Sequence, residues 1–460
     1  MLDIDRACEE KMDDMIRDIK RMVSHYSVES APQDGMPFGE GPAKALAEVL
    51  RISEELGFRT KNYDNYAGTA EMGEGDELIG IVGHVDVVPV GDGWTYGPFD
   101  GTIEDGKIYG RGTTDDKGPS MAALYAMKIV MDSGMPIKKR VRFLFGANEE
   151  TGMKGVAYYR EKEGGFDCGF TPDASFPLIF GEKGNYNARF TGKMNGESPE
   201  FRIISVTGGA AVNVVCDRVT VRCEGKDTDR LQKAFEGYLK ENSLEGTFDR
   251  ESCTLVLLGK AAHASTPELG INAISHMMRF ISSSGLFDCP FAKAYDALIG
   301  LSYTGENCGV AISDQYGPLT FNVGVIGAEG EELFATIDIR YPITTPDFRE
   351  HHEKMKSLFA EKGLALDAGR IGPSLYIDPE SPLVKTLYDA YVKGTGDSVN
   401  KPFTIGGGTY AKAFENIVAF GPEFPGKDYN IHMNDEFASI EDLKKAMKTY
   451  VYAIIGLLEM

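Results

Sequence analysis

Ile79-Gly80-Ile81-Val82-Gly83-His84-Val85-Asp86 is a short apolar run that ends in a histidine and an aspartate. Bounded by turn residues, such a run reads as a strand buried on both faces of a parallel sheet. In open α/β sheets the ligand crevice lies beyond the carboxyl ends of the strands, where His84 and Asp86 fall. Side chains alternate along a strand, so His-x-Asp points both residues to one face. A metal-bound imidazole usually has a carboxylate to orient it, which would make one residue a ligand and the other its support. A lone His-x-Asp is more often only a satisfied strand end, so the rest of the chain has to decide.

Other segments repeat the pattern. Val141-Arg142-Phe143-Leu144-Phe145 reads as a strand leading to Asn148-Glu149-Glu150, and Gly169-Phe170-Thr171-Pro172 leads to Asp173. Upstream, Met12, Met15, Ile16, Ile19, Met22 and Val23 recur at helical spacing, and Leu46, Val49, Leu50 and Leu56 mark a second helix. Residues 59–72 read as an exposed strand pair, and Pro119 as the start of a helix running through Met131. From about residue 185 the texture changes to strands (201–206, 213–223, 253–258, 320–327, 332–340) with helices between them, an α+β pattern. Beyond 380 the α/β style resumes with a helix near 382–393, a strand at Val418-Ala419-Phe420 and a long C-terminal helix. The expected architecture is therefore an α/β catalytic domain with a central, mostly parallel sheet. It spans residues 1–184 and 381–460, interrupted by an inserted α+β lid domain at 185–380.

The 460 residues suffice for two or three domains with full cores. A net charge of -22 argues against nucleic acid or an anionic membrane as partner. The seven cysteines contain no C-x-x-C and read as reduced thiols of a cytoplasmic protein. No apolar run approaches the ~20 residues of a membrane span. The acidic, amphipathic N-terminal segment does not read as a signal peptide.

The residues that carry chemistry are His84, Asp86, Asp115, Asp116, Glu149, Glu150, Asp173 and the distant His432. Like charges gathered in one crevice are costly unless a cation neutralises them. Two histidines with several carboxylates suit two divalent ions, each taking a histidine and a terminal carboxylate, with one carboxylate bridging. An unligated carboxylate is then left to act as a base. Gly406-Gly407-Gly408 lacks the spacing of a phosphate loop and more simply lets backbone amides approach a substrate.

GHVDVVP, YGRGTTDDKGP, ANEETG, TPDASFP and IHMNDEF, in this order over nearly the whole chain, resemble the dinuclear zinc metallopeptidase family of aminoacylases, glutamate carboxypeptidases and succinyl-diaminopimelate desuccinylases. Within it the chain is most similar to the PepV-type bacterial dipeptidases. The resemblance implies one ion held by His84, Asp115 and Asp173 and another by Asp115, Glu150 and His432. It also implies Asp86 as the orienting partner of His84, Glu149 as general base, and a cis peptide between Asp115 and Asp116. In the lid it points to Asn213 as a substrate contact, His263 as the oxyanion donor and Arg340 as the grip on a substrate carboxylate.

The implied activity is hydrolysis of dipeptides with a free C-terminal carboxylate, through a metal-bridging water activated by Glu149. The alternative is an amide deacylase or carboxypeptidase of the same family. The implied cofactors are two divalent ions, zinc foremost, with manganese and cobalt suiting similar ligands. Simpler relatives have lids half as long and borrow the lid histidine from a dimer partner, so the longer insertion here fits a monomer.

Overall fold

The computed structural model describes residues 2–460. The chain divides into two compact units, one of Met1–Gly181 with Leu375–Met460, the other of Glu182–Ser374.

In the first unit a nine-stranded sheet is parallel at its centre. Leu78–His84 lies between Arg140–Gly146 and Cys168–Thr171, and Ile417–Ala419 pairs beyond the latter, all in the same direction. Every residue of Leu78–His84 is buried, as an apolar run without alternation requires. The flanks are antiparallel: Arg59–Tyr63 pairs with Ala67–Met72, which pairs with Arg140–Gly146. The expectation of an exposed pair over 59–72 therefore fails for its second half. Ala67–Met72 is almost wholly buried because it has a strand on either side and because Leu46 and Leu50 of the helix Glu40–Glu55 close over Gly68.

Lys117–Asp132 is apolar nearly all round, and that is why it sits centrally, packed between the helices Ile4–Val23 and Ile440–Glu459. Side-chain caps start the outer two: Asp3 accepts from the Arg6 N–H and Ser439 from that of Asp442. Lys117–Asp132 begins two residues before Pro119, which occupies its first turn.

In the second unit the nine strands pair antiparallel around Phe201–Gly208, Thr320–Glu329, Glu332–Tyr341 and Gly184–Lys193. Gly184–Lys193 alternates strictly between buried and half-buried positions, the mark of a sheet with one face on the core. Helices Thr228–Glu241, Ala273–Ser283, Pro290–Leu298 and Arg349–Glu361 close that core, with Phe190 stacked on Phe291 and edge-on to Phe359. The strand expected at 213–223 begins only at Arg218, because residues 213–215 bond to the 262–264 loop instead. Among the described residues no helix is long and apolar enough to cross a membrane.

Candidate metal centre

Parallel register sets the site. His84 pairs with Gly146, so the turn that carries Glu149 and Glu150 begins level with the histidine, and Asp173 follows the strand on the other side. Asp115 comes from the turn before Lys117–Asp132, and its peptide bond to Asp116 is cis. His432 lies in a loop where Asn430, His432 and Asp435 all take left-handed backbone, an uncommon state for non-glycine residues that clusters at functional sites.

Asp115 stands between the two histidines. His84 Nε2 is 3.0 Å from its Oδ1, and His432 Nε2 is 2.8 Å from its Oδ2. Asp173 lies 3.7 Å from His84 Nε2, and Glu150 Oε1 lies 3.4 Å from His432 Nε2. Ligand atoms of His84, Asp115 and Glu150, and those of His84, Glu149 and Asp173, all fall within 4.8 Å of one another. These two triads differ from the ligand sets implied by resemblance, because His84 reaches both glutamates. The shorter individual distances favour one histidine on each oxygen of Asp115.

The electrostatics call for cations. Burial, then Asp173, pushes Glu149 well above the usual carboxylate range, while burial and then Asp115 take Asp173 up to about 7. Burial would also raise Asp115, but His432 and His84 hold it below its ordinary value. Hydrogen bonds to Asp115 and Glu150 raise His432 to about 11. Burial disfavours charge on His84, yet Asp173 and Asp115 outweigh it and raise that pKa as well. Protons are here standing in for positive charge that divalent ions would supply. Glu150 Oε1 is buried, and its 3.4 Å approach to His432 Nε2 is too poorly aligned for a good hydrogen bond, as suits a ligand oxygen. The donor set of two imidazoles and several carboxylates suits zinc, manganese or cobalt. These residues fit two divalent ions.

Supporting contacts hold the set in place. The Asp86 carboxylate accepts the N–H groups of Glu149 and Glu150 at 3.0 and 3.1 Å. Its backbone oxygen, at 3.0 Å, is nearer His84 Nδ1 than its carboxylate at 3.4 Å. Asp86 therefore orients the glutamate turn as much as the histidine. Asp116 accepts from the His84 N–H and Ser120 Oγ through one carboxylate oxygen. Gly118 is required: a Cβ there would fall 2.0 Å from the Thr113 carbonyl oxygen.

Three contributors escaped the sequence reading. Glu436 is fully buried, and one of its oxygens accepts the N–H groups of Gly112, Thr114 and Asp115, while Arg111 donates to the other at 2.6 Å. Asn148 links the glutamate turn to Glu29 at 2.6 Å and to the Lys154 N–H. Glu423 joins Asp115, Glu149, Glu150, Asp173 and His432 in lining a cavity of about 180 Å³. In sequence, Glu436 and Asn148 were marked only by their places, four residues after His432 and next to Glu149.

Asn213, His263 and Arg340 belong to the second unit and lie close together there. Val214 bridges to His263, the Ala264 N–H donates to the Asn213 carbonyl, and the Thr320 hydroxyl donates to the Ala264 carbonyl. Thr320 pairs directly with Arg340. Ser265 N–H donates to His263 Nδ1, so the neutral ring carries its proton on Nε2. Burial, then the charge of Arg340, lowers the His263 pKa and favours that neutral form. Arg340 grips Asp338 through Nε and Nη2 at 2.7 and 3.0 Å, with the two side chains 12% and 1% exposed. Its strand is interior to the sheet, not at an edge, so this ion pair is a buried one.

The sequence model of peptidase family M20/M25/M40 matches residues 80–455. The chain belongs to that family. It is accordingly a metallopeptidase, a hydrolase. "Putative dipeptidase YtjP" of Bacillus subtilis (strain 168) is 37% identical over 97% of this chain and 98% of its own length. Among solved structures, the di-peptidase Dug1p of Saccharomyces cerevisiae aligns with a TM-score of 0.60 at 15% identity, over 99% of this chain and 98% of its own. Bacillus subtilis YXEP, described as a dinuclear metal binding M20 peptidase, aligns at 0.50 and 12% identity, covering 98% and 99%. At such identities the structural likenesses speak for the fold.

Proposed function

We propose that this M20 peptidase is a dipeptidase acting on dipeptides with a free C-terminal carboxylate. The observation that carries the reading is Asp115 set between His84 and His432, with Glu149 close to His84 and Asp173 and outside the two ligand sets that the resemblance implies. The relative named as a putative dipeptidase, 37% identical over nearly the whole chain, supports the substrate class.

His84, Asp115 and Asp173 would hold one divalent ion, and Asp115, Glu150 and His432 the other. When bound, the pair supplies Lewis acidity, lowering the pKa of water and drawing charge from a carbonyl oxygen. Glu149 takes the proton of the attacking water and returns it to the leaving amine, a task for a carboxylate left outside the proposed ligand sets. Asp86 keeps Glu149 aimed by fixing its backbone N–H.

From the inserted unit, His263 donates its Nε2 proton to the oxyanion, Arg340 binds the substrate carboxylate and Asn213 contacts the substrate. The Nε2 tautomer set by Ser265 supports the donor role. Zinc, manganese and cobalt all suit these ligand types. A panel of free dipeptides and N-acylated amino acids, assayed with each metal, tests the reading. Turnover of only the acylated compounds would replace it with a deacylase.

A further inference from the structure

Cys223 and Cys253 form a pair in the inserted unit that the metal centre does not involve. Cys223 lies on the strand Arg218–Gly225 with 1% of its surface exposed, and half-buried Cys253 immediately precedes Thr254–Leu258. Arg222 pairs with Thr254 at the end of that ladder, Cys253 sits just beyond it in the turn with left-handed backbone, and the Cys223 N–H donates to the Cys253 carbonyl at 3.0 Å. Their sulfurs are 3.4 Å apart. Among the described residues no other two sulfurs come so close, and the other five cysteines are buried.

We propose that Cys223 and Cys253 are a dithiol modification site, oxidised reversibly to a strand-to-turn disulfide by low-molecular-weight disulfides such as oxidised glutathione. Cys253, the accessible partner, reacts first. Its thiolate attacks one sulfur of the reagent, a new S–S bond forms as the reagent's own breaks, and one reagent thiolate leaves and takes up a proton. Cys223 then loses its proton and attacks Cys253 Sγ, expelling the second reagent thiolate. Two protein thiols are oxidised and one reagent disulfide is reduced to two thiols, so two electrons balance.

Burial, then the neighbouring Cys253, raises the Cys223 thiol pKa, which leaves the more accessible Cys253 to react first, while the short sulfur–sulfur approach favours the second step. The bond would close a span that contains Thr228–Glu241 and Glu245–Asp249. The same ladder leads at its other end to the contact between Val214 and His263, so the staple fastens the far end of the framework that presents His263.

The test uses the full-length, metal-loaded protein equilibrated with graded ratios of oxidised to reduced glutathione, then alkylated and mapped by mass spectrometry. The expected result is loss of two alkylation sites, a linked peptide pair joining Cys223 to Cys253, reversal by dithiothreitol and a higher thermal midpoint when oxidised. Cys223→Ala should instead accumulate a glutathione adduct on Cys253, and Cys253→Ala should leave Cys223 unmodified. A persistent glutathione adduct on the wild type, linkage among other cysteines, or no oxidation at any ratio would overturn the proposal. The wild-type peptide map decides the matter even if a variant fails to fold.

Discussion

At the scale of single residues, Glu149 and Arg340 carry the sharpest expectations. Glu149→Gln keeps the shape and the N–H bond to Asp86 but removes the proton acceptor. Turnover should fall on the order of 100- to 10,000-fold with two ions still bound. Near wild-type turnover at full metal content would remove Glu149 from the mechanism. Arg340 is already held by Asp338, so a substrate carboxylate has to share its guanidinium. Arg340→Ala should cost about 2–5 kcal/mol in kcat/KM for a dipeptide, as for a lost partner of a buried charge pair. It should cost far less for the dipeptide amide. Arg340→Lys should not restore the difference, because an ammonium cannot make two parallel hydrogen bonds. Equal acid-to-amide ratios in all three proteins would show that Arg340 is not the carboxylate grip. Stability must be followed alongside, since Asp338 loses its partner in both variants.

Between residue and domain lies the element, and here Glu436 joins two segments that each deliver a presumed ligand. It follows the His432 loop, precedes the strand Phe437–Ser439 and clamps the Gly112–Asp115 turn by three N–H groups. Glu436→Gln keeps an oxygen for those N–H groups but leaves the buried Arg111 without its charge partner. Stability should drop by about 3–5 kcal/mol, and metal affinity by roughly 10- to 100-fold, as for a lost supporting contact. Calorimetry of the metal-free protein and competition against a chromogenic chelator measure the two separately. Unchanged affinity would reduce Glu436 to a fold contact.

Sequence could not disclose this clamp, because its donors are backbone amides more than 320 positions away. What was legible is what periodicity and local chemistry write down: a fully apolar strand ending in His84, and acids just past its two parallel neighbours. Burial of Ala67–Met72 was not legible, because small residues with one glutamate look exposed until the neighbouring strand and the Leu46 and Leu50 side chains are known. The buried pairing of Arg340 with Asp338 was half legible. Their shared strand face follows from alternation, whereas the interior place of that strand depends on which strands flank it.

For the whole molecule, the first unit contains every presumed metal ligand and the second contains none. Chelation should therefore act on one unit only. A ligand that binds the folded state alone stabilises it by about 4 kcal/mol at a thousandfold excess over Kd. For a body of this size that is a shift of roughly 8–16 °C in thermal midpoint. Without ions the crevice keeps Glu149, Glu150 and Asp173 together, each with its pKa raised by burial and by neighbouring acids, so removal adds repulsion to the lost binding energy. Hydrogen exchange read by segment, with excess chelator or with added zinc, resolves the effect. Protection should fall in Leu78–His84, Cys168–Thr171 and the loop at 430–436, while Thr320–Glu329 and Glu332–Tyr341 keep theirs. Equal loss in both sets would mean that the ions stabilise the chain as one cooperative body. No loss in either set would mean that the acids around Asp115 do not hold metal, and the dipeptidase reading would fall with it.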